Sequence, residues 1–141
     1  MIKNLDEPAA RELLKEKNFG HFGMILEIGD PYVVPVNYVY LEDEIYLHSL
    51  PGAKLDALRA NGRVCLQVEK IETECRWQSA IAYGEFQEIK KTNEKIKILH
   101  EFNKRFERLT PVEAMSGQNR NPGGVIVFRI DVDRITGLAE I

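Results

Sequence analysis

Residues 47–58 read LHSLPGAKLDAL and bring an imidazole, a hydroxyl and an ammonium close together, as His48, Ser49 and Lys54. A strand-like run ends at Leu47-His48. Pro51-Gly52 then turns the chain into a helix with Lys54 in its first turn. The start of a helix exposes backbone N–H groups and a partial positive charge, which suits a phosphate. A lysine there runs against the helix dipole. It is either a solvated surface residue or the partner of a bound anion. His48 carries a side chain that titrates near neutrality and can act as acid, base or nucleophile, or simply as a hydrogen-bonding group.

The remaining chemistry-bearing residues are more scattered. His21 follows Gly20 at a strand start and either lines a pocket or faces solvent, whereas His100 falls on the polar face of a helix. Trp77, Tyr32, Tyr38 and Tyr40 could stack on a ring, although aromatics at alternating strand positions usually serve a core or an interface. Cys65 sits mid-strand among Val64, Leu66 and Val68 as a small hydrophobe, and Cys75 lies elsewhere, with no CxxC spacing. No Ser-His-Asp order, paired carboxylates in an apolar frame or metal-binding cluster stands out.

These groups are carried mainly by strands. A short helix opens the chain, capped by Asp6 or Glu7, with Pro8 in its first turn and Ala10, Leu13 and Leu14 as its apolar stripe. MILEI, the turn Gly29-Asp30 and PYVVPVNYVY read as a hairpin whose second strand puts Tyr32, Val34, Val36, Tyr38 and Tyr40 on one face. Pro35 cannot donate to a ladder, so it marks an edge, a bulge or a place where something other than a strand lies alongside. Glu42-Asp43 turns into EIYLHSL, followed by the helix AKLDALRANG and the strand RVCLQVE. RWQSAIAYGEFQEI is a long strand with a bend or bulge allowed at Gly84. A helix capped by Thr92 or Asn93 repeats Ile96, Leu99, Phe102 and Phe106 at helical spacing. Residues 107–124 form a long irregular connection, and VIVFRIDVDRITGLAEI supplies a last strand and a short tail.

Six strands with early hairpins and short helices predict a mainly β, antiparallel barrel filling a single domain, residues 1–141. No GxGxxG follows a strand, so a Rossmann fold is disfavoured. A net charge of −3, with Lys and Arg scattered among acids, argues against nucleic acid and anionic membranes as partners. There is no secretory signal and no apolar run long enough to span a bilayer, so the expected location is cytoplasmic, with both thiols reduced.

The order and spacing of P-V-N-Y-V-Y, E-I-Y-L-H-S, A-K-L-D-A-L-R-A-N-G-R-V-C-L-Q-V, W-Q-S-A-I-A-Y-G and I-D-V-D-R-I-T-G resemble the FMN-binding split-barrel family related to pyridoxamine 5′-phosphate oxidase. Within that family the chain looks most like the subgroup containing the nitroimidazole-resistance (Nim-type) proteins. The resemblance implies a six-stranded antiparallel split β-barrel with short flanking helices and a homodimer carrying FMN at its subunit interface. It also implies ring contacts from Pro35, Val36, Asn37 and Tyr38, phosphate contacts from His48, Ser49 and Lys54, and Leu47 as a further cofactor-binding residue. Polar side chains from a later strand would be Gln78 and Ser79. His48 would lie at the flavin as a catalytic residue or as a cofactor contact.

The implied activity is FMN-dependent reduction of nitroaromatic or quinone-like small molecules. The alternatives are a non-catalytic flavin-binding protein or a deazaflavin- or haem-binding relative of the same fold. Two departures qualify the resemblance. The Arg- and Trp-rich C-terminal segment of the oxidases is missing, so vitamin B6 oxidation is not the expected reaction. The usual basic pair at the phosphate is reduced to Ala53-Lys54.

Overall fold

The computed structural model describes residues 1–106 and 124–141, so the connection read at 107–124 lies almost wholly outside the described residues. In chain order the elements are β1 (Ile2–Leu5), α1 (Glu7–Glu16), β2 (Phe19–Ile25), β3 (Pro31–Asn37), β4 (Val39–Leu41) and β5 (Glu44–Ser49). Then come α2 (Ala53–Ala60), β6 (Arg63–Thr73), β7 (Arg76–Ile89), α3 (Thr92–Arg105) and β8 (Ile126–Glu140). The strands join one antiparallel sheet in the order β3-β2-β6-β7-β8-β5-β4, with β1 alongside β8. β8 is shared: Ile126–Ile130 pair with β5, Gly137–Glu140 pair with β1, and β7 follows its other edge.

The sheet curls about a core that includes Phe22, Leu47, Leu66, Val68, Ala82, Phe128 and Ile130. Alternation along β6 gives its inner row, with Val64, Leu66 and Val68 buried between more open neighbours. α1 contributes Ala10, Leu13 and Leu14 to the same core, and its start is fixed by Asp6, whose carboxylate accepts from the Ala9 N–H at 2.9 Å. A second cluster forms on the opposite face of β5 and β8. There Tyr46 and Val127 meet Ile98, Leu99 and Phe102 of α3.

The mainly β, antiparallel split-barrel expectation holds, but among the described residues the sheet has eight strands rather than six. The segment Ile2–Leu5 is too short to show a pattern and is strand only because Gly137–Glu140 lies beside it. The run PYVVPVNYVY divides at Tyr38, whose N–H leaves the ladder to bond the Asn18 carbonyl at 3.0 Å. Tyr38 is fully buried and its hydroxyl donates to the Leu14 carbonyl at 2.5 Å. Burial pushes its phenol well above the usual range and keeps it neutral.

Smaller corrections follow the same logic of tertiary pairing. The expected C-terminal tail is strand as far as Glu140. Neither Thr92 nor Asn93 caps α3, whose N-cap is Lys91. Its buried face uses Lys95, Ile98, Leu99 and Phe102, while Ile96 is half exposed. Both cysteines are free, Cys65 half-buried and Cys75 exposed, and burial pushes the Cys65 thiol up. Among the described residues, no helix is long and apolar enough to cross a membrane.

Candidate functional site

β3 and β4 follow each other in sequence yet end opposite sides of the sheet order, so the chain crosses the barrel's open seam at Tyr38. Among the described residues β3 pairs only with β2, which leaves its other edge unladdered there. That edge position explains Pro35, which sits exposed where no partner strand requires an N–H.

A cleft of about 570 Å³ opens along this seam. One wall is Pro35, Val36 and Asn37, and the other is the β5–α2 connection from His48 to Lys54. Residues from two separate stretches of sequence therefore meet in one cleft. The size falls within the range of small-molecule clefts, about 300–1,000 Å³.

The α2 end of the cleft carries an uncapped helix start and a cation. Gly52 is the N-cap and no side chain caps the helix, so the first-turn N–H groups are open to a ligand. A Cβ at Gly52 would meet nothing within 4 Å, so there is free space at that end. Lys54 Nζ donates to the Tyr32 hydroxyl at 2.6 Å and lies 4.6 Å from the Tyr32 ring centre. An ammonium has three donors, so this bond leaves capacity for a phosphate. The Ser49 hydroxyl donates to the Leu50 carbonyl at 3.0 Å.

Strand alternation separates two neighbouring candidates. Leu47 points into the barrel core and is 2% exposed, so only its backbone could address a ligand. His48 points the other way, partly open to the cleft, with its ring 4.4 Å from that of Phe102 at 66°. Tyr38 likewise belongs to the core, and both its N–H and its hydroxyl are engaged within the chain.

Gln78 and Ser79 do not reach this cleft within one chain. Ser79 pairs with Leu138 and His48 with Val127, roughly 35 Å apart along β8 at about 3.3 Å per residue. Ser79 Oγ accepts from Gln67 Nε2 at 3.0 Å, and Gln67 Oε1 lies 3.0 Å from His21 Nδ1. This polar row crosses β7, β6 and β2 on the outer face of the sheet. His21 therefore belongs to that face rather than to the seam. Gln78 and Trp77 border a hollow of about 250 Å³ near the C-terminus, where Trp77 Nε1 donates to Glu140 at 3.0 Å.

One contributor is not legible in the sequence, and another acts differently from its sequence reading. Tyr32, a residue whose ring could stack on a ligand, instead reaches the site through Lys54. Phe102 backs His48, but its helical spacing spoke only of a core. Among the described residues, no group of three or more His, Cys, Asp or Glu side chains could hold a metal ion.

A model of the pyridoxamine 5′-phosphate oxidase family matches residues 6–139. An FAD-binding protein from Mesorhizobium loti superposes with a TM-score of 0.76 at 23% identity, over 100% of this chain and 99% of its own. A candidate 5-nitroimidazole antibiotic resistance protein from Bacteroides thetaiotaomicron gives a TM-score of 0.76 at 25% identity, covering 99% of this chain and 89% of that one. The flavocytochrome Anf3 of Azotobacter vinelandii gives 0.74 at 20% identity, over 99% and 69% of the two chains. An uncharacterised Rhizobium meliloti protein is 36% identical over 62 residues, 44% of this chain. That match covers 41% of the curated relative's length.

Proposed function

The chain belongs to the pyridoxamine 5′-phosphate oxidase family, and on that premise we propose that it is a flavin-dependent oxidoreductase holding FMN in the seam cleft. The observation that carries this reading is the meeting of the unladdered edge Pro35–Asn37 with the uncapped start of α2 and Lys54 in one cleft. The edge offers backbone groups to a planar polar ring. The helix start and the ammonium offer positive charge to a phosphate. When bound, the flavin supplies the two-electron redox chemistry, and the protein's part is to bind, orient and exclude water.

Each residue then has a defined task. Lys54 and the first-turn N–H groups of α2 hold the phosphate, helped by the Ser49 hydroxyl. Pro35, Val36 and Asn37 orient the ring by their backbone. His48, on the cleft's opposite wall, presents its imidazole to the cleft, either to donate a proton to a reducible substrate or to contact the cofactor. Small nitroaromatic or quinone-like acceptors are the proposed substrates, since the cleft is open on one side and lined by few charges.

A homodimer completes the proposal. Phe19, Val33, Ile71 and Leu138 share the outer face of the sheet and are 54%, 66%, 64% and 44% exposed. Apolar side chains exposed on one face of the sheet are what a second copy would cover. Within one chain Gln78 and Ser79 lie far from the cleft, so a role for them there requires a second copy. Steady-state reduction of a nitroimidazole by the FMN-loaded protein with NAD(P)H tests the activity. Substrate-dependent oxidation of the donor supports it, and donor oxidation indifferent to every nitroaromatic and quinone offered would remove this substrate class.

A further inference from the structure

The packing behind His48 comes from α3, an element with no residue in the cleft wall. Along β5, Ile45 and Leu47 face the barrel core, while Tyr46 faces the second cluster under α3. His48 shares the parity of Tyr46, and its ladder partner Val127 belongs to that same cluster. The imidazole is therefore a bridge, with one side in the cleft and the other against a packed apolar layer.

Phe102 forms the part of that layer that touches it. The two ring centres are 4.4 Å apart at 66°, an edge-to-face arrangement that aromatic pairs favour. Phe102 is fully buried, and its ring also stacks on that of Phe106 at 5.8 Å and 23°. A buried ring in two aromatic contacts has little room to turn. Rotation of an imidazole about its last side-chain bond is otherwise broad and roughly two-fold. Nδ1 of His48 is shut off from solvent, so a ligand in the cleft meets the ring at its other edge.

We propose that Phe102 is a positioning residue for His48: its buried ring restricts the imidazole's rotation and so biases which ring edge faces the cleft. The proposal rests on the seam cleft being the flavin site only for its consequence in turnover. The clamp itself is a property of the chain. A 1 Å misplacement of a working group can cost about a hundredfold in rate, so a loosened imidazole matters even when the cofactor still binds.

The test replaces Phe102 by Met, which keeps apolar bulk without a flat ring, and by Tyr, which keeps the ring. Nitrogen-correlated NMR of the three histidines reads the ring state directly, with His21 and His100 as internal references. The expected result for Phe102→Met is a His48 pattern that averages between ring states while His21 and His100 stay as in the parent. Phe102→Tyr should retain the parent pattern. At full FMN occupancy, turnover of Phe102→Met should fall about ten- to a hundredfold with little change in FMN affinity. An unchanged His48 pattern in a less stable Phe102→Met protein would overturn the proposal, because Phe102 would then be core alone. If Phe102→Met does not fold, Phe106→Leu removes the outer half of the clamp and must show the same His48 change in weaker form; its absence overturns the proposal too. Failure of the parent to bind FMN would remove the cleft assignment, while the histidine spectra would still decide this one.

Discussion

Lys54 Nζ donates to the Tyr32 hydroxyl at 2.6 Å, so a cation at the start of α2 is tied to the edge strand β3 across the mouth of the seam cleft. The bond aims an otherwise flexible ammonium. Lys54→Ala should weaken FMN binding about ten- to a hundredfold, since a charge-assisted hydrogen bond to phosphate contributes roughly 1.5–3 kcal/mol. Tyr32→Phe should produce a smaller loss in the same direction, because it frees the ammonium without removing it. Neither change should lower the melting temperature by much, both groups being at the surface. Titrating flavin-free protein and following flavin fluorescence measures this; an unchanged affinity in Lys54→Ala would place the phosphate elsewhere.

His48→Ala separates two roles that the geometry leaves side by side. If the imidazole donates a proton during reduction, the variant keeps its flavin and loses turnover, general acid catalysis being worth roughly a hundred- to ten-thousandfold. If it only contacts the cofactor, activity returns when FMN is added in excess. Flavin occupancy measured beside the rate tells the two apart. Full activity at full occupancy would remove His48 from the mechanism.

The bulge in the longest ladder depends on a missing side chain. The β7–β8 register shifts between Tyr83 and Gly84, and a Cβ on Gly84 would fall 2.1 Å from the Asp131 carbonyl oxygen. Backbone cannot yield as a side-chain tip can. Gly84→Ala should destabilise the fold by about 1–3 kcal/mol or more. At roughly 2–8 °C per kcal/mol, calorimetry would show the loss readily. A melting temperature equal to the parent's would mean that the strands do not approach so closely here.

Much of this architecture could be read along the chain, because local rules and tertiary needs agreed. Glu42-Asp43 reads as a turn, and both residues adopt positive φ, 53° and 65°. Pro35 marks an edge and lies on one. The LHSLPGAKLDAL stretch does end a strand and start a helix with Lys54 in its first turn. What stayed hidden depends on partners distant in sequence. Ile2–Leu5 becomes strand through Gly137–Glu140, and Tyr38 leaves its strand through Leu14 and Asn18. Phe102 advertises only its burial, since helical spacing says which face is covered but not by what. The resemblance groups Gln78 and Ser79 with the cleft, whereas the single chain keeps them far along β8.

The outer sheet face predicts the state in solution. Obligate dimers that bury such faces typically cover on the order of 2,000 Å² or more in total. Light scattering coupled to size exclusion should therefore report a dimer at micromolar concentration with FMN present. Leu138→Asp, which puts a charge among the exposed apolar residues, should shift the population toward monomer. A monomeric parent under these conditions would contradict the dimer and leave Gln78 and Ser79 without a role at the cleft.

The most direct test of the account compares FMN with riboflavin, which carries the same ring without the phosphate. Flavin-free protein is titrated with each while flavin fluorescence is followed, in the parent and in Lys54→Ala. The account predicts saturable FMN binding, riboflavin weaker by about ten- to a hundredfold, and a preference that largely disappears in Lys54→Ala. Equal affinity for the two flavins, or no saturable binding of either, would contradict the assignment of the seam cleft between β3 and α2 as a flavin-phosphate site.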